Sequence, residues 1–304
     1  MTELTSSPDF ADHHCHILPG LDDGANELSE SIEIAHILTE YGFTEVYCTP
    51  HVLKGSYDNH PDRVRKSVND LEEVFYRSGI GLRIHGGAEY YLDEYLTDLL
   101  RDPLTVFDNV ILVESPMRIQ GDVIKGMLYR LIAGRKLKPM IAHPERHEAM
   151  EIDFKMKPGR FKRFLEALGH RDKSANRLSK SDLENCDIAD TLPVSLRRMG
   201  CMFQGNIGSF AGIYGDKVRR RAANFLECGL YDCLGTDAHH PKELVKFLKQ
   251  GFGEIERMAG RDMLTHFLSR KKTEKTPAIF ESTAGAGSGN AQAGMKAGVV
   301  NDPR

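Results

Sequence analysis

The chain has 304 residues, 40% of them hydrophobic and 28% charged, a globular balance with enough apolar side chain for a sizeable core. Its formal charge of −4 provides no basic field for tracking phosphates, so no nucleic-acid partner is expected. Six cysteines (Cys15, Cys48, Cys186, Cys201, Cys228 and Cys233) form no C-x-x-C pair. The stretch from Met1 to His14 has no basic start and no apolar run, and no later segment offers a run of uncharged apolar residues long enough to span a membrane. Reduced thiols, a cytoplasmic location and no membrane insertion are the expectations.

Short apolar or β-branched runs predict seven strands: Asp9 to His14, Glu45 to Thr49, Leu82 to Gly87, Asn109 to Val113, Pro139 to Ala142, Gly200 to Phe203 and Tyr231 to Gly235. Between them, apolar residues at three- and four-residue spacing predict helices, among them Leu28 to Tyr41, Pro61 to Ser78, Ile124 to Ala133 and Lys217 to Glu227. Gly42, Gly79, Gly134 and Gly229 are read as the stops that follow these helices. Strands alternating with helices predict βαβ units and a parallel sheet, closed as a barrel or open and doubly wound. A closed α/β barrel uses about 250 residues as one domain, so residues 1–280 are read as a single domain. Two stretches break the alternation. Lys157 to Pro193 is polar with one helical piece, Arg160 to Leu168, and reads as an insertion. Glu281 to Arg304, rich in Ala, Gly, Ser and Asn, reads as a flexible tail, residues 281–304.

The chemistry gathers at the strand ends. In Asp12-His13-His14-Cys15-His16 the alternation of a strand puts Asp12, His14 and His16 on one face. His51 follows the second strand, Glu89 the third, Glu114 the fourth and His143 the fifth, while Asp237 and His239 follow the last. Each has a structural alternative when taken singly, such as a lysine pair for Glu89, a helix cap for Glu114 or Asp237, or a core hydrogen bond for His143. Recurrence at six of seven strand ends is what favours a shared site, because parallel α/β folds build their sites at the carboxyl ends of strands. So many imidazoles and carboxylates exceed the three protein ligands typical of one catalytic zinc, so two or three ions are implied. Nitrogen and oxygen ligation without cysteine suits manganese, zinc or iron, and a cluster left positive by simple charge counting would attract phosphate. Arg146, three residues beyond His143, has a planar fork able to hold two phosphate oxygens. Its alternative is a surface ion pair. Glu145 is read as a partner or helix-start residue. None of the six cysteines begins a Cys-x5-Arg phosphatase loop, and neither a phosphate-binding Gly-Lys loop nor a G-x-S-x-G elbow occurs.

Taken together, Asp12-x-His14-x-His16 with Pro19-Gly20-x-Asp22-Asp23-Gly24, Thr49-Pro50-His51, Gly87-x-Glu89, Val113-Glu114, His143-Pro144-Glu145-Arg146 and Thr236-Asp237-Ala238-His239 resemble the PHP (polymerase and histidinol phosphatase) family. They are most similar to its bacterial branch of manganese-dependent protein-tyrosine phosphatases linked to capsule and exopolysaccharide synthesis. The resemblance implies a distorted (β/α)7 TIM-like barrel and up to three divalent ions, Mn2+ first, with Zn2+ or Fe2+ as alternatives. It implies His14, His16, Glu89 and Asp237 as ligands of one ion, Glu89, Glu114 and His143 of a second, and Asp23, His51 and His239 of a third. It also implies, as partner, the phosphotyrosine-bearing tail of a tyrosine autokinase. An arginine that the family often places after the final histidine is missing here, with Leu244 in that region, and Lys242 or Lys246 is the expected substitute for binding substrate. The competing readings are a small-molecule phosphatase such as a histidinol-phosphate hydrolase, and a non-catalytic phosphopeptide-binding regulator.

Overall fold

The computed structural model describes residues 9–99, 103–107, 109–152 and 191–269. Most of the expected excursion, including Arg160 to Leu168, and the whole expected tail lie outside the described residues.

The described fold is mixed α/β with parallel sheets. Three strands, β1 (Phe10–Cys15), β2 (Phe43–Cys48) and β4 (Arg83–Gly86), form one sheet in the order β1-β2-β4. The other holds β3 (His51–Val52), β5 (Glu89–Tyr91), β6 (Val110–Glu114), β7 (Lys138–Ala142), β8 (Met202–Asn206) and β9 (Cys233–Gly235), in that order. Every pairing between these strands is parallel. All seven predicted strands appear, and two short ones, β3 and β5, were not foreseen. They continue the lines of β2 and β4 across brief breaks. Proline at position 50 lacks the N–H that a ladder needs, which accounts for the break after β2. After β4 the break falls at Gly87, where a Cβ would stand 2.3 Å from the Phe107 ring and 3.1 Å from Cys48 O, so any larger residue would have to displace that ring. Backbone bonds bridge both gaps, Gly87 N–H to Cys48 O at 2.7 Å and Glu89 N–H to Pro50 O at 3.0 Å. The chain after β9 returns to β1: Asp237 N–H donates to His14 O (2.7 Å) and His16 N–H to Ala238 O (3.0 Å).

Helices α1 (Leu28–Glu40), α2 (Pro61–Ser78), α3 (Leu96–Leu99), α4 (Gly121–Arg135), α5 (Leu192–Arg198), α6 (Ile207–Phe210), α7 (Asp216–Glu227), α8 (Leu244–Ala259) and α9 (Arg261–Leu268) connect and cover the strands. Helix α2 illustrates why. It opens with Pro61 in the first turn, Asp62 favours the positive end of its dipole, and Gly79 closes it in the left-handed conformation. Its buried stripe, Val64, Val68, Leu71 and Phe75, follows the helical repeat and packs with Val46 and Ile84 in one apolar core. The expected stop at Gly134 is corrected. Helix α4 runs through it to Arg135, and Lys136 takes the left-handed position at φ 54° instead. A lysine can adopt that conformation at modest cost. These connections leave the carboxyl ends of the strands together, where the titratable residues lie.

Candidate metal centre

At the end of β1, His14 and His16 are buried, and each has its Nδ1 engaged. His14 Nδ1 lies 2.8 Å from Gln204 Oε1, and the Gln204 amide nitrogen donates to Gly205 O at 2.7 Å, which turns the amide oxygen toward the imidazole. His16 Nδ1 lies 2.7 Å from Asp22 Oδ2. Asp22 also accepts the His51 and Gly24 N–H groups, at 2.8 and 2.9 Å. Both imidazoles therefore donate through Nδ1, and both Nε2 atoms turn toward one point, 3.0 Å apart. Glu89 Oε2 faces that point at 3.1 Å from His14 and 3.3 Å from His16, and Asp237 Oδ1 faces it at 3.4 Å from each. Four acceptors around one point are satisfied by a cation, or in its place by protons.

Two further groups adjoin this one. Within each of three sets, the ligand atoms lie within 4.8 Å of one another: His14, His16, Glu89 and Asp237; His51, Glu89 and Glu114; and His16, Asp23, His51 and His239. His143 stands against the second set, its Nε2 3.1 Å from Glu89 Oε1 and 3.9 Å from Glu114 Oε1. The nine residues singled out in the sequence thus converge, with two differences in grouping. His51 faces Glu89 through Nδ1 (3.2 Å) as well as Asp23 through Nε2 (3.6 Å), and His16 belongs to two sets. The donor set of imidazole nitrogens and carboxylate oxygens, without thiolate, fits a divalent ion of intermediate hardness. Cys15, on the neighbouring face of β1, points away and approaches Ala238 O at 3.7 Å.

The backbone is bent to bring these groups in. His143 (φ 29°) and Asp237 (φ 54°) both occupy the left-handed region, which non-glycine residues enter at a cost borne at functional sites. At Gly235 a Cβ would lie 2.7 Å from His14 Cβ, so only glycine lets β9 approach close enough for Asp237 to reach His14. Asp12 faces inward as expected but does not join the ligand sets. It accepts Thr236 N–H (2.8 Å) and Thr236 Oγ1–H (2.6 Å), tying β1 to the turn that carries Asp237.

Protonation follows from this crowding. Burial alone would lower the His14 pKa, but Glu89 and Asp237 outweigh it and raise the imidazole to about 9. His16 is likewise raised against burial by Asp22, Asp237 and Glu89. Burial would raise Glu89, yet His14, His143 and His16 hold it well below the usual carboxylate range. Glu114, half-buried and beside Glu89, is raised. Protons on the imidazoles balance the carboxylates, as ions would.

Arg146 stands beside the ligand sets, its side chain 28% exposed and paired with the buried Asp237. Its NH1 donates to Asp237 Oδ2 at 3.0 Å, and its guanidinium lies 4.5 Å above the Tyr214 ring. Glu145 is a fully buried partner, accepting from Asn206 N–H (3.0 Å), Ser209 Oγ–H (2.7 Å) and Tyr231 O–H (2.9 Å). Lys242 is exposed, and Lys246 reaches Glu243 at 3.7 Å. No contact among the described residues ties either lysine to the ligand sets. Sequence reasoning missed Gln204, Asn206 and Tyr214. The strand was expected to end at Phe203 but continues to Asn206, because the Gln-Gly-Asn stretch breaks the apolar pattern while its amides bond inward.

Comparison with known proteins places the chain in a family. The family model for CpsB/CapC, capsular polysaccharide synthesis, matches residues 10–158 and 187–275. The tyrosine-protein phosphatase YwqE of Bacillus subtilis (strain 168) is 28% identical over 255 residues, 80% of this chain and 85% of that protein. The tyrosine-protein phosphatase CpsB of Streptococcus agalactiae serotype V is 24% identical over 260 residues, 83% of this chain and 91% of that one. Among solved structures, crystal structures of YwqE from Bacillus subtilis and CpsB from Streptococcus pneumoniae, described as unique metal-dependent tyrosine phosphatases, provide a match with TM-score 0.62 at 26% identity. That match covers 85% of this chain and 90% of the other. With the family model matching well over half of its length, the chain belongs to the CpsB/CapC family of capsular polysaccharide synthesis proteins.

Proposed function

We propose that the chain is a metal-dependent tyrosine-protein phosphatase, that it uses up to three divalent ions with manganese foremost, and that its substrate is the phosphotyrosine-bearing tail of a tyrosine autokinase of capsule or exopolysaccharide synthesis. The observation that carries the reading is the convergence of imidazoles and carboxylates on Glu89, with Arg146 bound beside them to Asp237. The names of the similar proteins point the same way.

His14, His16, Glu89 and Asp237 would hold one ion, Glu89, Glu114 and His143 with His51 alongside a second, and Asp23, His51 and His239 a third. When bound, such ions supply Lewis acidity and positive charge for phosphoryl transfer to water. The chain's own contribution is orientation and charge. Gln204 and Asp22 fix the two imidazoles of β1 so that their Nε2 atoms face inward. Arg146 presents a fork to the phosphoryl oxygens and balances charge that grows in the transition state. The phenolate leaving group of phosphotyrosine, with a pKa of about 10, needs no strong general acid.

We also read the strands as one seven-membered ring, with β2 and β3 as one position and β4 and β5 as another, in a single domain. The parallel bridge from Cys15 to Ala238 supports that reading, since it links the last strand position to the first. The helices are compatible with a soluble enzyme, none being long and apolar enough to cross a membrane among the described residues. The experiment that tests the substrate compares phosphotyrosine peptide, phosphoserine peptide and aliphatic phosphates with manganese present. Preference for phosphotyrosine is expected. Equal or better turnover of an aliphatic phosphate would favour a small-molecule phosphatase, and no turnover at all a phosphopeptide-binding regulator.

A further inference from the structure

Arg146, Asp237, Asn206 and Tyr214 form a closed cycle. Asp237 divides its two oxygens: Oδ1 faces His14 and His16, while Oδ2 accepts Arg146 NH1–H at 3.0 Å and Asn206 Nδ2–H at 2.8 Å. Asn206 Nδ2 also lies 3.3 Å from the Tyr214 hydroxyl, and the Tyr214 ring lies under the Arg146 guanidinium, 4.5 Å from its centroid. Asn206 is fixed from a further side, its Oδ1 accepting Gly208 N–H at 2.8 Å as the cap of α6. The cycle therefore joins a strand end, a helix cap and the loop after α6.

We infer that Tyr214 is a positioning residue that holds Arg146 flat against Asp237, so that the phosphate-binding fork is set in register with the ion that Asp237 would hold. The inference rests on Arg146 binding the phosphoryl group, as proposed above. Arginine side chains carry substantial rotamer freedom. An aromatic face beneath the guanidinium and a carboxylate at its edge restrict that freedom in two directions at once. The Asp237 bond occupies one of five guanidinium N–H donors and leaves the rest of the fork for phosphate oxygens. Tyr214 is 37% exposed, so its replacement removes the platform without opening the core.

The test uses the full chain loaded with manganese, p-nitrophenyl phosphate as substrate, inorganic phosphate as inhibitor, and metal content measured for every variant. Tyr214→Leu is expected to keep its metal while KM and the inhibition constant for phosphate both rise about 2- to 30-fold, the span of one cation–π contact. Tyr214→Phe, which keeps the ring and loses only the hydroxyl, is expected to stay within about twofold of the parent by the same reasoning. If Tyr214→Leu does not fold, Tyr214→Met takes its place with the same expectation. Unchanged KM and phosphate inhibition without the ring would overturn the inference, as would a Tyr214→Phe variant as impaired as Tyr214→Leu, or loss of metal from Tyr214→Leu. Arg146→Ala in the same series separates this from the clamp itself: unchanged phosphate inhibition there would remove the phosphate role of Arg146 and the positioning role with it.

Discussion

Replacing Glu89 with glutamine keeps the volume of the side chain and removes its charge. Glu89 is fully buried, and its carboxylate lies 3.1 Å from His14, 3.3 Å from His16, 3.2 Å from His51 and 3.1 Å from His143. It belongs to two of the three ligand sets, whereas Asp23 belongs to one. Losing an outer partner of a metal ligand costs about 10- to 100-fold in affinity, and losing the ligand itself should cost at least the upper end. That is about 2.8 kcal/mol per ion, incurred at two positions in Glu89→Gln and at one in Asp23→Asn. His51 would be a poor comparator, because it too adjoins two sets. Elemental analysis after dialysis against a weak chelator, with circular dichroism to confirm folding, should find Glu89→Gln retaining at most one ion where Asp23→Asn retains two. Equal metal content in the two folded variants would refute the shared position of Glu89.

Three other outcomes are expected. Arg146→Lys keeps the charge but loses the fork, so kcat should fall about 10²-fold with metal retained; unchanged kcat and unchanged phosphate inhibition would leave Arg146 a structural pair. Because His14 is raised to about 9 by Glu89 and Asp237 against its burial, the metal-free protein holds a proton there below that pH. Its contribution to metal-free stability is complete below the ordinary histidine range and fades as pH rises through about 9. Manganese must displace that proton, so affinity should rise with pH and calorimetry in buffers of differing ionisation enthalpy should register proton release; affinity independent of pH without proton release would contradict this. Alkylation under native conditions should leave activity intact, since no cysteine begins a Cys-x5-Arg loop and those among the described residues, Cys15, Cys48, Cys201, Cys228 and Cys233, are buried, burial pushing Cys201 up to about 12; rapid loss of activity would show a thiol in the mechanism.

The convergent histidines and carboxylates were legible in the sequence because they directly follow apolar strand runs, and a parallel α/β fold gathers those ends. Which of two adjacent aspartates does what was not legible from spacing. Asp22 turns inward to orient His16 and brace the His51 backbone, while the Asp23 side chain is 56% exposed and faces His51 and His239. Short strands such as β3 and β5 carry too few residues to show a period, so His51 and Glu89 were read as following strands when they begin new ones. Gln204, Asn206 and Tyr214 escaped notice because their roles depend on contacts made across the fold. Lys242, chosen for its place in the sequence, lies exposed just before α8, and proximity along the chain did not become contact in space.

The central claim, that bound metal is what makes this fold a phosphotyrosine hydrolase, is tested most directly by measuring phosphotyrosine-peptide turnover and metal stoichiometry on the same preparation before chelation, after it, and after manganese is returned. Turnover should fall to background as the ions leave and recover in step with the manganese bound. Turnover that persists unchanged in protein shown to be metal-free would contradict the account.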